Sequence, residues 1–299
     1  MSAENAFHSG FIAIVGRPNV GKSTLLNALV GEKVAIVSNR PQTTRNRLMG
    51  IVSGKNTQMV FIDTPGIHKP RTQLGNFMMQ AVQEGMEGID ALAVLVDVTA
   101  VGPGDRQIAE NMAKKKLPVL LLLNKIDLVA PQDLLRIIDQ FKEMGFAAIL
   151  PISAKTGEGL DALQAELIKY LPVGPKYFPD DMMTDQPERV LCAELVREKA
   201  LRHLRDEVPH GIGVEILKMK KKHDDLMEIH ADIYCEKDSH KSIIIGKKGS
   251  MLSTIGREAR IDIESLLGMR VNLQLWVKVR PDWRNSKADL RTLGYDNRE

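Results

Sequence analysis

The octapeptide "GRPNVGKS" (16–23) limits the folds open to this chain more than any other stretch. It follows the apolar run "FIAIV" (11–15) and opens a segment with helical patterning, so it matches G-x-x-x-x-G-K-[ST] in a strand–loop–helix setting. Glycines let successive backbone N–H groups wrap phosphate oxygens, Lys22 brings a point charge to them, and the Ser23 hydroxyl suits Mg²⁺. The helix start adds positive potential of its own. Such a loop needs a sheet behind it. The runs 58–62, 92–98, 118–123 and 147–152 are short and apolar, with helix-like segments at 22–30, 72–87, 131–144 and 159–170. This alternation predicts an α/β domain, a mostly parallel sheet covered by helices on both faces. Residues 47–53 alternate more cleanly and can pair with 58–63 through "GKNT" as an antiparallel edge hairpin.

After Leu171 the pattern changes. "PVGPKYFPDDMMTDQP" (172–187) carries four prolines and no periodicity, as a linker or an ordered crossover would. Beyond it the order reads α-β-β-α-α-β, which gives three parts: 1–172, a linker 173–188, and a smaller α+β domain with a C-terminal tail over 189–299. The 299-residue length suits two domains. No apolar run reaches 18 residues and no secretory leader is visible, which predicts a cytoplasmic protein. Cys192 and Cys235 lack ligand spacing and read as reduced thiols. The net charge of +3 is uneven: from residue 190 onward there are 21 Lys+Arg against 18 Asp+Glu, so the whole excess lies in that third. That is a hint of nucleic acid there.

Three further motifs sharpen the first half. "DTPG" (63–66) puts a carboxylate at a strand end, three residues before a glycine, where a metal and γ-phosphate sensor would sit. "NKID" (124–127) follows another strand. A carboxylate at Asp127 can accept from both N1–H and the exocyclic amine of guanine, whereas adenine would leave it facing an acceptor. "SAK" (153–155) suits a loop that receives the guanine carbonyl on its backbone. In the second half, "SIIIGKKGSMLSTIG" (242–256) places G-x-x-G with two lysines between helical segments. Ile245, Gly246, Lys247, Lys248 and Gly249 are the RNA-binding candidates there. "KMKKKH" (218–223) reads either as a solvated hairpin end or as attraction for RNA or an anionic membrane. Trp276 is expected in the core; Trp283, beside Arg280 and Arg284, is the candidate for stacking.

"GRPNVGKS", "QTTR", "DTPG", "NKID" and "SAK", in that order and spacing, resemble a translation-factor-type GTPase. The remainder resembles a KH domain of the second topological type, and together the resemblance spans about residues 8 to 293. It implies a nucleotide site made of Gly16, Arg17, Pro18, Asn19, Val20, Gly21, Lys22, Ser23, Thr24, Gln42, Thr43, Thr44, Asp63, Thr64, Pro65, Gly66, Asn124, Lys125, Ile126, Asp127, Ser153, Ala154 and Lys155. Ser23 and Thr44, with Thr43 as the alternative, would ligate Mg²⁺; Asp63 would hold it through water, and the Gly66 N–H would touch the γ-phosphate. Lys22, Asp63, Gly66 and Asn19 would carry catalysis. Residues 32–46 and 66–80 would be switches ordered by the γ-phosphate.

Ile67 stands where many such enzymes have a water-orienting glutamine. Related GTPases instead hold K⁺ beside the phosphates with an asparagine at the Asn19 position. The family's KH-bearing members imply as partners GTP or GDP, the single-stranded 3′ end of small-subunit (16S) ribosomal RNA and the small (30S) subunit whose maturation they assist. They also imply a peripheral inner-membrane fraction, and the sequence, without a coiled-coil or oligomer signature, predicts a monomer. Two other readings stay open: a membrane-associated signalling GTPase, and an RNA chaperone with incidental GTP turnover.

Overall fold

A computed structural model describes residues 6–38, 40 and 43–295; Gln42, one of the nucleotide-site candidates, lies outside the described residues. Contacts divide the chain into two compact units. The first holds a six-stranded sheet of β1 (His8–Gly16), β2 (Leu48–Ser53), β3 (Thr57–Asp63), β4 (Ala91–Asp97), β5 (Val119–Asn124) and β6 (Ala148–Ile152), in the order β2-β3-β1-β4-β5-β6. Only β2 runs antiparallel, as the edge hairpin with β3; the other neighbours pair in parallel.

Successive strand residues enter different cores. Ile12, Ile14, Leu120 and Leu122 join one apolar cluster, while Ala13, Val15, Leu121 and Leu123 join the other. Burial on both faces is why these strands are continuous apolar runs rather than alternating ones. Helices α1 (Lys22–Val30) and α5 (Leu160–Ile168) cover the first face; α3 (Pro103–Ala113) and α4 (Pro131–Phe141) cover the second, and α2 (Gln73–Glu84) follows β3 in the chain. A doubly wound sheet of this kind opens its ligand crevice at the C-terminal strand ends, where β1, β3, β5 and β6 deliver the motif loops.

The proline-rich stretch after Leu171 is an ordered strap on this unit. Ser9 Oγ donates to the Pro175 carbonyl at 2.6 Å, Gln58 Nε2 to Phe178 at 2.8 Å, and the Ile51 N–H to Met183 at 2.9 Å.

The second unit consists of Ile36–Thr43, Lys69–Met78 and Gln186–Glu299. Its elements follow the expected order: α6 (Glu188–His203), β7 (Gly213–His223), β8 (Leu226–Cys235), α7 (Asp238–Ile245), α8 (Ser250–Leu267), β9 (Arg270–Val279) and a short α9 (Lys287–Thr292). β8 pairs antiparallel with β7 and parallel with β9. Ile229, Ala231 and Ile233 face α6 and α8 through Leu195, Val196, Ile255, Ala259 and Ile263. The two cysteines are buried in this core without a disulfide, and burial pushes the Cys192 thiol up to about 12.

The tryptophans exchange the places expected of them. Trp283 is fully buried, its indole N–H donating to the Gly211 carbonyl at 2.9 Å and its ring packed with Tyr295, Leu290, Leu74 and Met78. Trp276 is 44% exposed. The reason is strand parity: Val271, Leu273, Leu275 and Val277 take the core side of β9, so the residue between Leu275 and Val277 must face outward. Trp283→Ala should therefore destabilise this unit by about 3–5 kcal/mol, read as a lowered urea midpoint by circular dichroism, and Trp276→Ala by far less.

Candidate nucleotide site and nucleic-acid groove

The loop after β1 closes on itself around a buried cation. Lys22, 6% exposed, donates to the carbonyls of Arg17 at 3.0 Å and Gly16 at 3.3 Å. Burial lowers its pKa to about 8, with the Asp63 carboxylate opposing that shift. Burial likewise raises the pKa of Asp63, against the pull of Lys22 and the Ser23 and Thr44 hydroxyls. Ser23 Oγ donates to Asp63 Oδ2 at 2.6 Å, and Thr44 Oγ1 lies 2.8 Å from Ser23 Oγ and 3.4 Å from the same carboxylate oxygen. Thr43 turns elsewhere, its hydroxyl on the Arg40 carbonyl at 2.6 Å. Asp63 Oδ1 is buried without a hydrogen-bond partner. Two hydroxyls beside a buried carboxylate with one oxygen unsatisfied fit a hydrated Mg²⁺, which prefers hard oxygen donors.

Gly66 presses against this loop. A Cβ there would come within 2.6 Å of Pro18 N and 2.7 Å of Pro18 Cα, and the following Ile67 N–H donates to the Gly16 carbonyl at 3.0 Å. Thr64 and Pro65 are buried behind it, Thr64 Oγ1 donating to the Ile14 carbonyl at 2.9 Å. The Arg17 side chain points away to Asp105 at 2.8 Å, leaving its carbonyl to Lys22. Asn19 adopts φ 65° and Thr24 lies in the first turn of α1.

The base-side motifs lock onto the same loop. Asn124 Nδ2 donates to the Val20 carbonyl at 2.8 Å, and its Oδ1 accepts the Ala154 N–H at 2.9 Å. That approach requires a glycine, since a Cβ at Gly21 would sit 2.3 Å from Asn124 Nδ2. Lys125 reaches back to the Asn19 carbonyl at 3.2 Å and to Asp97 at 2.5 Å. Burial pushes the Asp97 carboxyl up, but hydrogen bonds from Lys125 and Thr99 outweigh it and hold the pKa below the usual value. Ile126 starts a single 3-10 turn, and within that turn Asp127 accepts from Ser153 Oγ at 2.7 Å while remaining exposed; Lys155 beyond it is also exposed. Asp127 thus keeps one oxygen for a ligand and is steered by the other.

In the second unit, Gly246–Gly249 turns between α7 and α8, with positive φ at Gly246, Lys248 and Gly249. Ile244 is buried beneath the turn and Ile245 packs beside it. Lys247 and Lys248 are exposed. Next to them a groove of about 440 Å³ runs between α8 and β9, lined by Leu252, Gly256, Leu273 and Leu275, with Arg257 and Arg260 along it.

Comparison with known proteins follows this division. Residues 11–125 match the model of the 50S ribosome-binding GTPase family, and residues 207–284 match that of the KH domain. The chain is 52% identical to GTPase Era of Ruminiclostridium cellulolyticum over 292 residues, 97% of this chain and 98% of that protein. It is also 52% identical to GTPase Era of Clostridioides difficile, covering 98% and 100% respectively. The chain belongs to the Era family of GTPases. A crystal structure of Era in complex with MgGDPNP and nucleotides 1506–1542 of 16S ribosomal RNA matches with TM-score 0.93 at 43% identity, covering 97% of this chain and 99% of that one. An Aquifex aeolicus Era variant bound to GDP.AlF4- matches with TM-score 0.92, likewise at 43% identity and covering 97% and 99%.

As an Era-family GTPase the protein hydrolyses GTP to GDP and phosphate, and several residues of its site carry no motif signature. Asp97 orients Lys125 from the end of β4; its position at the close of an apolar strand was the available signal. Arg257 and Arg260 had none, because their convergence with β9 depends on the fold. Gly66→Ala should drop hydrolysis at least about 10²-fold with the circular dichroism spectrum unchanged, since the added methyl must displace the Pro18 backbone. A phosphate-release assay at saturating GTP checks it.

Proposed function

We propose that this protein is a GTP-hydrolysing switch that binds the 3′ end of small-subunit ribosomal RNA through its KH domain and assists maturation of the 30S subunit. One observation carries the coupling: the segments flanking Thr44 and Gly66 are built into the KH unit. Arg197, fully buried on α6, donates to the Thr43 carbonyl, and the Val37 N–H donates to Glu198 at 3.0 Å. The Gln73 N–H donates to Asn285 at 3.1 Å, while Leu74 and Met78 join the cluster around Trp283. Thr43 and Thr44 share a peptide bond, so γ-phosphate contacts at Thr44 pull on a segment that Arg197 holds.

In the hydrolysis, loop N–H groups and Lys22 would stabilise charge on the phosphoryl oxygens as water attacks in line, with the Gly66 N–H against the γ-phosphate. Ser23 and Thr44 would hold Mg²⁺, with Asp63 behind a water; the ion would neutralise charge on the β- and γ-oxygens. Asn124 and Asp127 would select guanine. RNA affinity for nucleotides 1506–1542 should differ between the GTP-analogue and GDP states by about 5- to 150-fold, measured by filter binding. Equal affinities would support the chaperone reading instead, because a switch needs differential binding.

K⁺ held by Asn19 would add charge beside the phosphates. Asn19 stands in the phosphate loop with φ 65°, and its side-chain amide oxygen is the kind of acceptor a K⁺ ion takes. Turnover should be faster in K⁺ than in Na⁺, and Asn19→Ala should remove the difference. Equal rates in the two salts for the unmutated protein would exclude K⁺.

A further inference from the structure

We propose that the outer face of the KH sheet, centred on Trp276, is a second single-stranded RNA contact that stacks a nucleobase from the strand leaving the groove. The inference rests on the RNA-binding reading above and extends it to a face no motif marks. β9 is the edge strand of its sheet and belongs to both surfaces. Its Leu273 and Leu275 line the groove, and the intervening Gln274 and Trp276 point the other way, in register with His230 and Asp232 of β8. A strand lying in the groove therefore needs only to cross one sheet edge to meet the indole.

The chemistry of that face suits a nucleobase. Trp276 is 44% exposed and forms a T-shaped pair with His230, ring centroids 5.4 Å apart. The pair restrains the indole, so little rotamer freedom remains to be lost on stacking. Around it stand Lys218 and Lys278, whose side chains are about half exposed. The carboxylates on the face are engaged within it: Glu228 by Lys218 at 2.6 Å and His230 at 3.1 Å, Asp232 by Lys278 at 2.5 Å, and Glu215 by the Tyr234 hydroxyl at 2.7 Å. Arg280, 3.9 Å over the Tyr234 ring and paired with Asp289 at 3.0 Å, closes the far end. What stays open is the indole itself, beside lysines already paired with the carboxylates of that face, so base stacking carries the contact, and stacking tolerates any sequence.

The chain has two tryptophans and Trp283 is buried, so quenching of indole fluorescence by RNA reports on Trp276. The probes are nested single-stranded RNAs from within nucleotides 1506–1542, the segment bound in the related Era structure. They start at the tightest-binding window of about four nucleotides, the length a KH loop clamps, and grow to about twelve. Quenching should appear only as the RNA lengthens. Trp276→Ala should weaken the long RNAs about 5- to 100-fold and leave the short window unchanged, which also shows the domain folded. Trp276→Phe should restore most of the affinity.

Equal affinity of Trp276→Ala and the unmutated protein at every length would overturn the proposal. So would an equal loss on short and long RNAs, which would place Trp276 in service of the groove. Failure of the unmutated protein to bind any window would instead strike the RNA-binding reading itself.

Discussion

A lysine and a carboxylate buried together at the end of a parallel sheet, with neither fully satisfied, is the constraint on which the rest of the nucleotide site depends. Lys22 is spent on two loop carbonyls and Asp63 keeps an unpartnered oxygen. Burial works against both charges, lowering one pKa and raising the other. Such a pair is costly in a dry setting unless further charge arrives. A triphosphate with its cation supplies both signs at once, to the lysine and to the carboxylate. The surrounding bonds exist to keep this pair in place: Asn124 ties the loop to the base side, Asp97 holds Lys125 under it, and Gly66 leaves no room for the loop to drift.

The same economy explains why the strands around the site carry no polar variety. β4 and β5 are covered on both faces, so their sequences have only to be apolar and β-forming until the last residue. Chemistry begins where burial ends, at Asp97 and Asn124. In the KH unit one face of the sheet is covered by helices and the edge strand β9 alternates accordingly, whereas the central strand β8 is buried throughout its second half.

That difference decides how much of the molecule was legible in the residues. Motifs bound to local geometry could be read directly: the phosphate loop, the strand-end Asp63, the asparagine–lysine–aspartate run and the GxxG turn each need only a strand, a turn and a helix nearby. Parity is available for β9 as well, yet an apolar residue in an apolar strand reads as core, which puts Trp276 inside. Trp283 reads the other way, since its arginine neighbours suggest exposure. Arg284 in fact pairs with Glu236 at 2.6 Å and Arg280 with Asp289, leaving the indole to fill a cluster built from distant segments. The Arg197–Thr43 contact spans 154 positions and leaves no local trace; an arginine on a helix looks like a solvated charge until the fold buries it.

Ile67 shows the same dependence of chemistry on packing. Its side chain lies against the apolar cluster of Val15, Val94 and Val96, and its N–H is taken by the Gly16 carbonyl. A glutamine there would have to place an amide against that cluster or swing outward, and either choice costs a contact that now fixes the Gly66 peptide. The apolar residue is thus part of what aims the Gly66 N–H, and its gain is positional. Water must then be oriented by something other than residue 67, while Lys22 and Mg²⁺ would supply charge at the phosphates. An enzyme built this way has a well-made phosphate cradle and little intrinsic hold on its nucleophile, which leaves turnover open to control by whatever orders the segment ending at Thr44. In this chain that segment is held by α6, with Arg197 on the Thr43 carbonyl and Glu198 accepting the Val37 N–H.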